Sequence, residues 1–177
     1  VALGLMTCAN LFSVKAYGEF EFWFALIKVV TIIFLIFTGV GMIVFGLGND
    51  GIPVGISNLT AHGGFLPHGI GGVFDTMLMV LFAYVGIEII GVTAGEAADP
   101  EKNLSAAIDK VLYRILLFYV LALLIIMSIY PWDQLGHQGS PFVMVFEKLG
   151  ITAAGHVINF VVITAALSSC NSGIYST

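Results

Sequence analysis

The chain has 177 residues, 59% of them hydrophobic and 10% charged, with a formal net charge of −5. Its mean hydropathy is +1.04, whereas a soluble domain carries about 25% charged residues, so the composition is that of a membrane protein. Six basic residues without a run among them exclude a nucleic-acid-binding chain.

Cys8 and Cys170 lie inside apolar segments, which argues against a disulfide. The N-terminus is neither an initiator methionine nor a signal peptide with a basic n-region. The C-terminus stops at Tyr175-Ser176-Thr177, and both ends read as cut from a longer chain.

Residues 1–14 are apolar apart from Thr7, Asn10 and Ser13. They are too short to span, because a helix needs about 20 apolar residues, and they read as the last half of a helix. Residues 15–21 predict a short loop or interfacial turn, and Tyr17, Phe20, Phe22 and Trp23 suit the headgroup belt. A spanning helix is predicted over 22–47, with Lys28 as its one charge. Residues 48–74, rich in Gly, Pro, Asn and His, predict a long polar loop. Gly46-Leu47-Gly48-Asn49-Asp50-Gly51 matches GxGxxG, but it follows a membrane helix and not a strand. It therefore reads as a helix-ending turn, not as a dinucleotide fingerprint.

The third helix is predicted over 73–95 and is interrupted around Gly86 and Glu88. A charged side chain at mid-membrane costs about 2.5–3.5 kcal/mol on insertion scales, so Glu88 needs a partner, a proton or a watery cavity. Glycines at 86, 91 and 95 weaken the helix by about 1 kcal/mol each relative to alanine. A broken helix at membrane depth lines a cavity or is buried in protein, and broken helices with a midplane site mark secondary transporters. After the acidic loop at 96–102, residues 103–110 predict a short interfacial helix with Asn103 as N-cap. A fourth span is predicted over 111–130, ending at Tyr130-Pro131-Trp132. In the following loop, 131–153, residues 141–149 predict a short amphipathic or re-entrant helix. The last helix is predicted over 154–177, with polar residues bunched at Ser168, Ser169, Asn171, Ser172 and Ser176.

Five of the six basic residues lie in or beside the 15–21 and 96–110 loops, and only Lys148 lies elsewhere. Positive-inside logic puts those two loops in the cytoplasm and the 48–74 and 131–153 loops outside.

Lys28 stands about two turns into the membrane, on the same helix face as Glu21 and Thr31. Two readings are open: a snorkelling lysine with its amine at the surface, or a buried amine facing the bundle interior. Glu88 is likewise either a structural carboxylate or a handler of protons or substrate. Gly91 to Gly95 form a small-xxx-small pattern that suits helix packing. The serine cluster either packs against neighbouring helices or coordinates an ion, and Asn171, an amide in hydrocarbon, must find partners. His62, His68, His137 and His156 show no metal-ligand spacing, and Asn58-Leu59-Thr60 is a sequon of a kind that arises by chance. No nucleophile stands beside a base, so nothing points to an enzyme.

Several of these stretches resemble the bacterial amino acid permeases of the amino acid–polyamine–organocation superfamily. They are the run from Gly18 to Lys28 (GEFEFWFALIK), the run from Gly86 to Ala97 (GIEIIGVTAGEA), and Asp99-Pro100-Glu101-Lys102-Asn103. Ile129-Tyr130-Pro131-Trp132, Gly139 to Val143, and the stretch from Asn159 to Gly173 resemble the same family. Within it the resemblance is to the proline, threonine/serine and aromatic amino acid permeases, over nearly the whole chain.

The resemblance implies an all-α membrane transporter built on two inverted five-helix repeats. This chain would then hold the end of helix 4 through helix 8 of the family, with a discontinuous helix 6. It implies proton-coupled uptake of an amino acid across the bacterial cytoplasmic membrane by alternating access. The substrate site would use the unwound part of family helix 6, here Phe82, Ala83, Tyr84, Val85, Gly86 and Ile87, with Phe82 as the gating aromatic. Glu88 would be a proton-linked or stabilising carboxylate. Lys28 matches a lysine whose amine stands in for a sodium ion between family helices 1 and 8, and Ser168, Ser169 and Asn171 would face the same region. Implied partners are the amino acid, protons, the lipid bilayer and the other helices of the same polypeptide, above all family helix 1. No cofactor, metal or nucleic acid is implied. A channel would need a ring of repeated charges or carbonyls, which is absent from the sequence. A purely structural membrane subunit would need no broken helix with a carboxylate at the same depth.

Overall fold

The computed structural model describes residues 4, 14–84, 100–135, 139–151 and 153–175, and among them there are helices and turns but no strand. Three helical stretches, Gly18–Phe45, Ala107–Ile129 and Ala154–Ile174, are long and apolar enough to cross a membrane. The chain is a multi-pass membrane protein.

Helix α1, Val14–Phe45, runs for 32 residues without a break. At 1.5 Å per residue it is about 48 Å long, well beyond the roughly 30 Å of hydrocarbon. Its first turns therefore extend past the apolar layer or the helix tilts. The loop expected at 15–21 is corrected: these residues are the start of α1. Ala16, Glu19, Glu21 and Lys15 are good helix formers, and Gly18 costs only about 1 kcal/mol. The charges mark where the helix nears water, not where it stops.

Glycine ends α1. Gly46 has φ +71° and Gly48 φ +67°, a left-handed backbone that a side chain would strain. A Cβ at Gly46 would strike the backbone of residues 51–52, and one at Gly48 would strike that of Lys148 and Leu149. The chain then turns back, and the N–H groups of Val54 and Gly55 donate to the carbonyls of Met42 and Ile43 at 3.2 Å each. Met42 O also accepts from the Gly46 N–H, so the returning chain gives Ile43 O the partner that a helix end otherwise lacks. The GxGxxG match is thus a helix-ending turn.

Helix α2 is one turn, Asn58–Ala61, and α3 is Gly69–Ala83. The polar loop is therefore shorter than the expected 48–74. After Pro67 nothing in the sequence stops a helix, and the glycines at 69, 71 and 72 are tolerated in its first turn. At 15 residues α3 is about 22 Å long, shorter than a span. The expected remainder of this helix, 85–95, lies outside the described residues. Helix α4, Pro100–Arg114, passes through a π-helical segment, Ile115–Leu121, into α5, Ala122–Ile129. Because α4 already includes Pro100, Asn103 sits inside the first turn and is not the N-cap. A 3-10 turn follows at Trp132–Gln134, then α6, Pro141–Lys148, and α7, Ala154–Tyr175.

The core joins α1, α5, α6 and α7 through Leu35, Met42, Ile125, Ile129, Val145, Phe146, Ala154 and Ile158. Gly39 lets α5 approach closely, since a Cβ there would overlap Ile125. The rings of Phe34 and Phe146 meet at 5.7 Å. This core lies towards one end, where the loops after α1 and α5 are knitted together. Asn58 Nδ2 donates to the carbonyls of Ser128 (2.8 Å) and Ile129 (3.1 Å), capping α5 from a distant turn. Trp132 Nε1 donates to His62 O at 2.9 Å, and His62 Nδ1 lies 3.0 Å from Asp133 Oδ2. Tyr130 donates to Met144 O at 3.1 Å, and the Lys148 amine sits 5.0 Å from the centre of its ring. Burial first, and Glu147 second, raise the Tyr130 phenol above its ordinary pKa, so it stays a neutral donor. Two loops that the sequence assigned to one side are thus packed at one end.

Candidate functional site

Most hydroxyls in the described helices bond their own backbone. Thr31 donates to Ile27 O, Thr38 to Phe34 O, Thr76 to Gly72 O, Ser128 to Leu124 O and Thr164 to Val161 O. That is the local solution for a hydroxyl in a helix without water. Thr31, which shares the face of Lys28, is satisfied this way.

Ser168 is different. It is only 2% exposed, and its hydroxyl donates to Glu21 Oε1 at 2.5 Å. Ser168 Oγ in turn accepts from Lys28 Nζ at 2.8 Å. The result is a directed chain, Lys28 to Ser168 to Glu21, that crosses from α1 to α7. Seven residues separate Glu21 from Lys28, two helical turns, so both project from one face with the serine between them. Helix α7 runs antiparallel to α1, since Ala154 lies in the core with Met42 while Ser168 meets Glu21. An ammonium donor and a carboxylate acceptor make both hydrogen bonds charge-assisted, the short and strong kind. The Lys28 amine is held by Ser168 in this structure. Glu21 Oε2 is buried without a hydrogen-bond partner among the described residues.

The other polar residues expected on α7 divide. Asn171 is fully buried, one turn on from Ser168, whereas Ser169 is exposed. Two adjacent serines that look alike in the sequence therefore have different surroundings.

The residues expected to hold substrate lie at the end of α3. That helix stops at Ala83, and Tyr84 caps it with φ −101° and ψ 0°, its N–H donating to Leu81 O at 3.1 Å. The Tyr84 ring stacks on Tyr119 at 5.4 Å, and the Tyr119 hydroxyl donates to Ala83 O at 3.4 Å. Tyr119 belongs to the π-helical segment, a kind of irregularity often found at functional sites. Phe82 is 71% exposed. No described hydrogen bond or ring contact joins Phe82, Ala83 or Tyr84 to the Lys28 chain. Val85, Gly86, Ile87 and Glu88 lie outside the described residues. No group of three or more potential metal ligands occurs among the described residues.

The model of the amino acid permease family matches residues 1–177. The chain belongs to the amino acid permease family. It is 62% identical over 99% of its length to an uncharacterized amino acid permease, YtnA, of Bacillus subtilis (strain 168). It is 56% identical, again over 99% of its length, to a probable threonine/serine transporter, YbxG, of the same organism. It is 44% identical over 98% of its length to that organism's gamma-aminobutyric acid permease. The chain spans only 38%, 38% and 37% of the lengths of these three relatives. No solved structure matches it.

Within this chain, sequence reasoning singled out Lys28 and the cluster of Ser168, Ser169 and Asn171 but gave Glu21 no role. The signal was present, because an acid and a base seven residues apart on a membrane helix share a face. Tyr119 had no such signal, since a π-helical segment shifts the register in a way that apolar periodicity does not reveal.

Proposed function

We propose that the protein is a secondary active transporter that takes up an amino acid together with a proton by alternating access. Its place is the bacterial cytoplasmic membrane, with the start of α1 and the 96–110 region inside and the knitted loops outside. Family membership and the names of the relatives support the transport class. The probable threonine/serine transporter and the gamma-aminobutyric acid permease are named for different small substrates, each with one amine and one carboxylate. The observation that carries the coupling is the Lys28–Ser168–Glu21 chain, an ionisable group in a membrane helix held by a hydroxyl of another helix. A proton can bias two states of such a bundle only by its different affinity for each. Loss of the Lys28 proton takes the charge from one of the two hydrogen bonds that tie α1 to α7, and the weaker tie favours the state in which the two helices rock apart. Ser169 and Asn171 belong to the same end of α7, with Asn171 buried one turn on from Ser168. The substrate's charged ends are bound by backbone groups freed around Tyr84 to Gly86, with Phe82 as gate and Val85 and Ile87 as lining. Glu88 serves coupling or cavity structure. The remaining helices of the polypeptide, family helix 1 above all, complete the site.

Reconstituted full-length protein tests this directly. An imposed inward proton gradient should drive accumulation of a labelled amino acid, and competition by all twenty should rank small zwitterions first. Gly86→Val should lower substrate affinity at least tenfold by blocking close approach. Uptake that ignores the proton gradient, or Gly86→Val kinetics equal to wild type, would overturn the coupling or the site respectively.

A further inference from the structure

We propose that Glu21 is the proton acceptor for Lys28, reached through the Ser168 hydroxyl, and that the pair forms one relay. This rests on the coupling role proposed for Lys28 and gives Glu21, so far only the acceptor of the Ser168 hydroxyl, a protonation step of its own.

Three observations converge on the carboxylate. Its Oε1 accepts the Ser168 hydroxyl at 2.5 Å, and that hydroxyl oxygen accepts from the Lys28 amine at 2.8 Å. Every donor therefore points the same way, from amine to carboxylate. Its Oε2 is buried with no hydrogen-bond partner among the described residues, so the carboxylate keeps an oxygen for a further proton or donor. Glu21 also lies near the start of the Gly18–Phe45 span, about 10 Å along the axis from Lys28. A proton moving from Lys28 to Glu21 thus travels towards the membrane surface.

The transfer balances. One N–H bond of the Lys28 ammonium breaks and its proton joins Ser168 Oγ, while the Ser168 hydroxyl proton moves to Glu21 Oε1. The products are a neutral amine, an intact serine hydroxyl and a carboxylic acid. Glu21 then releases the proton to water at its end of the span. Among the described residues, Lys28 is the ionisable group that hydrogen bonds link to this carboxylate, through Ser168, while Glu19 on α1 and Cys170 on α7 are exposed.

The test compares Glu21→Gln, Lys28→Met and wild type as full-length protein in liposomes. Glutamine keeps an oxygen for the Ser168 hydroxyl but holds no proton. Glu21→Gln should lower gradient-driven accumulation at least tenfold, flatten its pH dependence, and leave substrate exchange at equal concentrations near wild type. Wild-type accumulation with a wild-type pH profile would overturn the relay, as would loss of exchange and accumulation together. The Lys28→Met arm separates the two claims. If Lys28→Met alone fails to accumulate, the coupling role stands and the Glu21 role falls. If Lys28→Met accumulates normally, the coupling role itself falls. Should Glu21→Gln not reach the membrane folded, Glu21→Asp carries the test through its pH profile. A shifted profile supports the relay and an unshifted one overturns it.

Discussion

Replacing Ser168 by alanine removes two hydrogen bonds at once, and replacing its neighbour Ser169 removes neither. In Ser168→Ala the Lys28 amine loses its acceptor and Glu21 Oε1 loses its donor. A hydrogen bond to a charged group is worth about 1.5–3 kcal/mol, so the two sum to about 3–6 kcal/mol. Lys28 and Glu21 are both partly exposed, and each regains some solvation after the change. The expected loss is therefore at the lower end, about 3 kcal/mol. Ser169 makes no cross-helix hydrogen bond among the described residues, and Ser169→Ala should stay within about 0.5 kcal/mol of wild type. Chemical unfolding of the purified full-length protein in detergent, followed by tryptophan fluorescence, measures both variants against wild type. Ser168→Thr, which keeps the hydroxyl, should recover part of the loss. If Ser168→Ala and Ser169→Ala unfold within 0.5 kcal/mol of one another (about the surface-substitution range), the cross-helix chain does not stabilise the fold and the reasoning fails.

Asn58→Ala should destabilise by about 1–3 kcal/mol, because one amide caps two α5 carbonyls and each hydrogen bond contributes about 0.5–1.5 kcal/mol; unfolding equal to wild type would refute that capping. Gly39→Leu should cost about 1–3 kcal/mol by forcing α1 and α5 apart at Ile125, and Ile125→Ala in the same chain should relieve it, whereas additive losses would show that the two do not meet. For topology, cysteines at Thr60 and Glu19 in a cysteine-free background should differ, with Thr60→Cys alone labelled by an impermeant maleimide outside whole cells. The reverse pattern would invert the orientation.

The sequence by itself determined the class of fold and the chemical vocabulary of the site. Hydropathy located α1, the span ending at Ile129, and α7, because a bilayer demands long apolar helices whatever their neighbours. The glycines at 46 and 48 marked the end of α1, because few other residues take that backbone. Charge and polarity drew attention to Lys28 and to the cluster of Ser168, Ser169 and Asn171, since each is out of place in hydrocarbon. Where local signals were ambiguous the reading failed. The charged stretch at 15–21 looked like a loop because charge marks water, yet water is also met by a helix that outruns the membrane. Asn103 looked like a cap, yet it lies inside the first turn. Only the tertiary structure decided which hydroxyl bonds across helices and which bonds its own backbone, since that depends on what the facing helix presents. It separated Ser168 from Ser169 by burial, brought Asn58 to the end of α5, and set Tyr119 against Tyr84. It also made Glu21 the partner of Ser168. An acid at the edge of a membrane helix is ordinary in a sequence, and becomes chemically distinctive only when an antiparallel neighbour places a buried hydroxyl between it and an amine.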